Sequence, residues 1–259
     1  MDVHACGRLN GRKGGGVAVM FANVQKLVIP EGEVVKISHG TTVLWERPGL
    51  PLAYQQVEYI QTDGNQYIDT GVLASDYPDG LEYVFEGYCT AESASRRMYM
   101  FGCLFGEKRS GNAGIESTLK ASLIFLGTSG TGNIQINITK NERFTLWAKG
   151  TSESPPDFTA SWNGVKYNNV SFTSYSCNMP SANIFLLACN LNGGYTSGSS
   201  MPYVGKLYSF TMADMDGIEI RNFVPCYRKS DGVIGLYDTV GSTFYTNKGT
   251  GSFTKGADV

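Results

Sequence analysis

Residues Val204 to Asn247 read VGKLYSFTMADMDGIEIRNFVPCYRKSDGVIGLYDTVGSTFYTN. Three turn signals, Asp216-Gly217, Asp231-Gly232 and Val240-Gly241-Ser242, divide it into four short apolar segments, with no apolar repeat at the 3.6-residue spacing of a helix. Tyr208, Phe210 and Met212 recur every second residue, so an unbroken strand places all three on one face. Ile218, Ile220 and Val224 take the return strand. The segment reads as strand and turn four times over, which predicts antiparallel β structure.

The same reading extends upstream. Ala182 to Asn190 (ANIFLLACN) is apolar at both parities, which predicts a strand covered on both sides. In Phe158 to Phe172, Asn163-Gly164 is the dipeptide that best fits a type I′ turn, so FTASW and VKYNNVSF form a hairpin. LEYVFEGYC, RMYMFGCLF, ASLIFLG, NIQINI and RFTLWAKG read as further strands. Near residue 60, Asp63-Gly64 reads as a hairpin turn from which Gln66 to Thr70 returns. The segment Arg47-Pro48-Gly49-Leu50-Pro51 favours an extended connection and marks a boundary. Residues 1–48 then form a polar, glycine-rich head and a small three-strand module (VQKLVIP, EVVKIS, TTVLWE), and residues 49–259 a β-sandwich.

Composition limits the function classes. Hydrophobic residues make up 42% of the chain and charged residues 17%, which suits a globular core but not long solvent-exposed helices. The net charge is -2 without a basic block, which argues against a nucleic-acid partner. No apolar run reaches the roughly 18 residues of a membrane helix. Val17 to Ala22 is shorter than the apolar core of a secretory signal, so none is expected. Cys6, Cys89, Cys103, Cys177, Cys189 and Cys226 include no CxxC pair, which argues against zinc and predicts reduced, buried thiols.

Several stretches together resemble the concanavalin A-like (laminin-G-like) jelly rolls of bacteriophage and prophage tail and virion proteins. They are Tyr54-Gln55-Gln56-Val57-Glu58-Tyr59-Ile60, Gln66-Tyr67-Ile68-Asp69-Thr70-Gly71, Arg143-Phe144-Thr145-Leu146 and Trp162-Asn163-Gly164. At the far end they are Gly205 to Phe210, Asn222 to Tyr227 and Asp231 to Asp238. The resemblance covers residues 50–256. It implies a concanavalin A-like antiparallel jelly-roll sandwich whose first and last strands lie close together. It also implies a place on the virion: residues 1–48 would attach to other virion proteins, the sandwich would face a host-surface glycan or receptor, and the copies would assemble as a homotrimer. A structural or decoration role built on protein contacts is the alternative.

Candidate chemistry is sparse. His4 and His39 are the only histidines and both precede the sandwich, so Ser-His or Cys-His catalysis there has no base. Glu82 and Glu86 share a parity, but four residues of strand set their Cα atoms about 13 Å apart. Glycosidase carboxyl groups stand roughly 5–9.5 Å apart, so hydrolysis ranks last and no catalytic residue is assigned. Asp214, Asp216 and Glu219 lack EF-hand spacing and read as a charged hairpin tip, with a rim calcium on Asp214 or Asp216 as the alternative. The recognition candidates are aromatic and basic: Trp147, set opposite Phe144 and Leu146, then Trp162, Tyr195, Tyr99, Arg96 and Arg97. For Trp147 two readings stand, a sugar-stacking platform or a core residue of a sheet covered on both faces. The expected recognition surface lies between Arg96 and Tyr195.

Overall fold

The computed structural model describes residues 36–39, 42–46, 50–91, 97–105, 108–115, 120–125, 132–137, 139–151, 158–167, 179–195 and 200–259. Side chains are described for 50–91, 97–104, 139–150, 160–166, 179–195 and 201–259. The chain divides into two compact units, Met1–Gly49 and Leu50–Val259. In the first, β1 (Lys36–His39) and β2 (Thr42–Glu46) pair antiparallel. The VQKLVIP segment, His4 and Cys6 lie outside the described residues.

The second unit is all β apart from one 3-10 turn, Ala74–Asp76. In chain order it contains β3 (Tyr54–Gln56), β4 (Ile60–Asp63), β5 (Ile68–Leu73), β6 (Gly80–Cys89), β7 (Arg97–Phe105), β8 (Lys108–Ile115) and β9 (Lys120–Phe125). Then follow β10 (Gly132–Asn137), β11 (Arg143–Thr151), β12 (Phe158–Trp162), β13 (Val165–Tyr167), β14 (Asn183–Leu186), β15 (Asn190–Leu191) and β16 (Ser200–Pro202). Last come β17 (Val204–Ala213), β18 (Glu219–Arg228), β19 (Ile234–Asp238), β20 (Thr243–Thr246) and β21 (Thr254–Lys255). The larger sheet runs β13-β12-β11-β6-β17-β18-β19-β20, with β4 added beside β17, β21 beside β4, and β3 beside β18. The smaller runs β10-β9-β8-β7-β14-β5. Pairing is antiparallel except where β15 and β16 join β7 in parallel.

The opening stretch folds as its turns predict. β17 and β18 pair around Asp216-Gly217, where Gly217 adopts φ 78, and β19 and β20 follow as neighbours. At the predicted I′ turn, Trp162 pairs with Val165 across Asn163 (φ 47) and Gly164 (φ 79), both in the left-handed region that turn requires. β21, the last strand, lies beside β4, the second strand of the sandwich, pairing Thr254 with Gln61, and just past β3 Val57 bridges Asp258, so the two ends of the sandwich meet.

Two expectations need correction. Asp63-Gly64 does not close a hairpin, because β4 belongs to the larger sheet and β5 to the smaller. Here the chain crosses between layers. Buried Gln66 accepts hydrogen bonds from Thr62 Oγ1 (2.7 Å) and the Asp63 amide (3.0 Å), satisfying a buried hydroxyl and a backbone donor at the crossing.

The second correction concerns Tyr208. Between Leu207 and Ser209 the pairing of β17 with β6 slips by one residue. Leu207 opposes Gly87 and Ser209 opposes Glu86, leaving Tyr208 as the extra residue of a β-bulge. Leu207 is buried before the bulge, and Phe210 and Met212 after it, while Tyr208 and Ser209 are both only half-buried. Parity therefore resets within the strand. Tyr208 does not share the face of Phe210 and Met212.

The core lies between the sheets and is unusually aromatic. Phe210 contacts Phe101 (5.2 Å between ring centres), Phe85 (6.2 Å), Tyr83 (6.3 Å) and Phe223 (6.3 Å). Fully burying such a ring contributes about 1.5–3 kcal/mol, and each well-placed ring pair about 0.5–1.5 kcal/mol more. Ile184 to Cys189 is buried at every position, as the two-sided apolar pattern predicts. Cys89, Cys103, Cys189 and Cys226 are buried, and Cys177 lies outside the described residues. At one edge, Arg221 donates to the Thr70 carbonyl of the smaller sheet (3.2 Å) and pairs with fully buried Asp238 of the larger (3.5 Å). Asp238 also accepts from the amides of Asn222, Val240 and Gly241.

Candidate functional site on the larger sheet

Register alone builds a grid on the outer face of the larger sheet. β11, β6 and β17 lie side by side, and their inward residues (Phe144, Leu146, Ala148; Leu81, Tyr83, Phe85; Leu207, Phe210, Met212) fill the core. The outward residues line up in rows. Arg143 lies opposite Tyr88, and Tyr88 opposite Lys206. One row on, Thr145 meets Glu86, and Glu86 meets Ser209. Trp147 faces Val84 in the third, with Ser161 of β12 on its other side. The fourth pairs Lys149 with Glu82.

At one end of this face Trp147 is half-buried. Its indole Nε1 donates to Glu82 Oε1 (2.7 Å), and Lys149 reaches the other oxygen of Glu82 (3.5 Å). The carboxylate fixes the ring by its polar edge. Trp147 thus stands on the outer face that its parity predicts, and of the two readings the buried-core one does not hold.

At the other end lies a group of tyrosines and cations. The Arg143 guanidinium sits over the Tyr208 ring at 3.9 Å, and Tyr208 meets the edge of Tyr59 at 5.5 Å. The Lys206 ammonium lies 4.0 Å from the centre of the Tyr59 ring and 5.0 Å from that of Tyr88. Glu86 ties the group to the sheet, accepting from Arg143 Nε (2.8 Å) and Ser209 Oγ (3.3 Å). The Arg143 side chain is 53% exposed, so this ion pair contributes only about 0–1 kcal/mol. Its effect is geometric: it holds the guanidinium across Tyr208. Partial burial pushes the Tyr208 phenol above its ordinary pKa, against the pull of Lys206 and Arg143. Burial alone would lower the pKa of Lys206, but Tyr59, with Tyr208 and Tyr88 behind it, more than offsets this and holds the ammonium above its usual value.

The other predicted positions are not gathered here. Trp162 is no rim contact: it is 8% exposed and stacks on Phe144 at 4.1 Å, because its parity on β12 points inward beside Ala160. Tyr195 stacks on Tyr67 (4.6 Å), which packs on Phe185 of the smaller sheet (4.7 Å). Burial, then Asp69 and Tyr195, raise the Tyr67 pKa. Tyr99 is 6% exposed in β7, with the Arg97 guanidinium 5.9 Å from its ring, and is too enclosed to offer a face. Arg96 lies outside the described residues. Asp214 caps the hairpin tip, its Oδ1 accepting from the amides of Asp216 (3.0 Å) and Ile218 (2.8 Å). Among the described residues no three His, Cys, Asp or Glu side chains cluster as metal ligands.

Sequence reasoning missed Tyr59, Tyr88, Lys206 and Tyr208. The shared parity of Glu82, Glu86 and Tyr88 was a usable sign that this face of β6 is polar and aromatic. Of the tyrosines and cations in this group only Arg143 falls in the stretch between Arg96 and Tyr195; Tyr59 immediately precedes β4, Tyr88 is on β6, and Lys206 and Tyr208 are on β17.

The two-layer topology is that of a concanavalin A-like jelly roll, and comparison with solved structures agrees. A protein from Bacteroides ovatus, described as a proposed carbohydrate binder, superposes with a TM-score of 0.50 at 11% identity, over 79% of this chain and 62% of that one. The CBM40 module of a Ruminococcus gnavus IT-sialidase gives a TM-score of 0.45 at 10% identity, over 61% and 90%. Mouse laminin α1 domains LG4-5 give 0.45 at 8%, over 74% and 48%. At these identities the likeness is one of fold. No family model matches the chain, and no curated protein does.

Proposed function

We propose that the sandwich binds a glycan across the outer face of the larger sheet and does not cleave it. The supporting observation is the pairing of fixed aromatic rings with polar anchors on one face of the sheet: Trp147 held by Glu82 at one end, Tyr208 and Tyr59 held by Arg143 and Lys206 at the other. A sugar ring has an apolar C–H face and a hydroxyl edge, and a surface offering both ring faces and charged hydrogen-bond partners matches it. Each ring is already held in place, so little side-chain entropy is lost on binding. Glu82 and Glu86 stand on this face but are bound to Trp147, Lys149, Arg143 and Ser209, which suits carboxylates that position neighbours.

The biological setting rests on the sequence resemblance. In this reading the protein is a component of a phage or prophage virion: residues 1–48 attach it to other virion proteins, the sandwich meets a host-surface glycan, and the copies form a trimer. A glycan array probed with wild type, Trp147→Ala and Tyr208→Ala tests the binding reading. Signal from wild type that both variants lose is the expected result. If wild type binds no glycan and no host cell surface yet enters particles stably, the decoration role replaces this one. Light scattering of the full chain tests the trimer, and a monomer would refute it.

A further inference from the structure

We infer that the glycan carries an acidic group, a carboxylate or a phosphate, and that Lys206 anchors it; the inference rests on the glycan-binding reading above. The cations on this face differ in how they are used. Arg143 is paired with Glu86 and Lys149 with Glu82, so each is neutralised by the sheet itself. Lys206 makes no ion pair among the described residues.

Its surroundings are tyrosines. The ammonium stands over Tyr59 and Tyr88, next to the bulged Tyr208. Ring faces attract the cation by their quadrupole but cannot accept its N–H donors as an anion does, and the Tyr59 hydroxyl, which helps hold the ammonium charged, takes at most one of them. An ammonium carries three such donors. The nearby carboxylates do not take them: Glu86 is occupied by Arg143 and Ser209, and Glu58, exposed between β3 and β4 and felt by Tyr208, makes no ion pair with Lys206 among the described residues.

Lys206 is also placed centrally. β17 lies between β6 and β4, so the residue has Tyr88 on one side and Gln61 on the other. An anion reaching Lys206 therefore sits beside Tyr59 and Tyr208, where a sugar ring bearing it can stack. The ammonium is held in place before the ligand arrives, so the charge-assisted hydrogen bond loses little to ordering.

The test uses the full-length protein on an array of paired glycans. One arm sets oligogalacturonates against their methyl esters, and the other sets phosphorylated mannosides against dephosphorylated ones. Wild type is expected to prefer the acidic member of at least one pair by about tenfold or more, the ratio expected for one charge-assisted hydrogen bond. The arm that responds separates carboxylate from phosphate. Binding should weaken as NaCl rises. Lys206→Met should abolish the preference and Lys206→Arg should keep most of it, with circular dichroism showing both folded. Equal binding of acidic and neutral members, or a preference that survives Lys206→Met, overturns the inference and leaves glycan binding standing. Absence of binding to every member overturns the inference, while the glycan-binding reading is decided by the broader array and host-surface test above.

Discussion

The bulge in β17 makes a prediction that substitution cannot reach, because it concerns the count of residues rather than their type. Removing Tyr208 leaves Leu207 followed by Ser209, which restores strict alternation: Leu207 in, Ser209 out, Phe210 in. The slip exists only in the ladder with β6. On its other side β17 changes partner from β4, last paired at Leu207, to β18, first paired at Phe210. Deletion of Tyr208 should therefore keep the core intact. It removes one cation–π contact at 3.9 Å, worth about 0.5–1 kcal/mol, and one edge contact at 5.5 Å, worth about 0.5–1.5 kcal/mol. The total is roughly 1–2.5 kcal/mol, or about 2–10 °C in melting temperature for a domain of this size. Deletion of Ser209 restores the same alternation and keeps Tyr208, at the cost of one hydrogen bond to Glu86 of about 1 kcal/mol. Deletion of Thr211 is the contrast. It puts Phe210 and Met212, both fully buried, next to each other, so one of them must leave the core. That costs about 2–5 kcal/mol, with broken ladder bonds in addition. Urea unfolding followed by near-ultraviolet circular dichroism reads all three variants. If deletion of Tyr208 destabilises as much as deletion of Thr211, the bulge does not set the parity of this strand.

Three further outcomes follow from the described contacts. Asp238→Ala strands three backbone amides and leaves Arg221 without its anion in a buried setting, so unfolding free energy should fall by about 3–5 kcal/mol; a loss under about 1 kcal/mol in urea melts would show that Arg221 does not clasp the two sheets. Trp162→Ala removes a ring stacked on Phe144 and should cost about 3–5 kcal/mol, whereas a rim residue would cost almost nothing. Burial pushes the Cys226 thiol up to about 12 from an ordinary 9.0. A raised folded pKa means that its contribution to stability is complete below pH 9 and is lost as pH rises toward about 12. Cys226→Ser should flatten that part of the pH–stability curve, and the native thiol should resist alkylation at pH 8 until denaturant is added; prompt labelling of Cys226 in the folded protein would contradict this.

What the chain discloses by itself is the set of strands and most of the turns. Asp216-Gly217, Asp231-Gly232 and Asn163-Gly164 mark reversals because their backbone preferences are local. The opposition of Trp147 to Phe144 and Leu146 was legible for the same reason, since side chains alternate along any extended segment. Tertiary structure decided the rest. Asp63-Gly64 has the composition of a hairpin turn, yet whether β5 pairs with β4 or crosses to the other layer depends on strands more than 100 residues away, β14 for the one and β17 for the other. The bulge at Tyr208 carries no sequence mark, since it arises where β17 must match β6 on one flank and two successive partners on the other. The candidate site joins β6, β11, β17 and Tyr59 at the entry to β4, neighbours in space through long-range pairing that alternation cannot specify. Local chemistry fixed which residues face outward, and only the pairing of distant strands fixed which of them stand together.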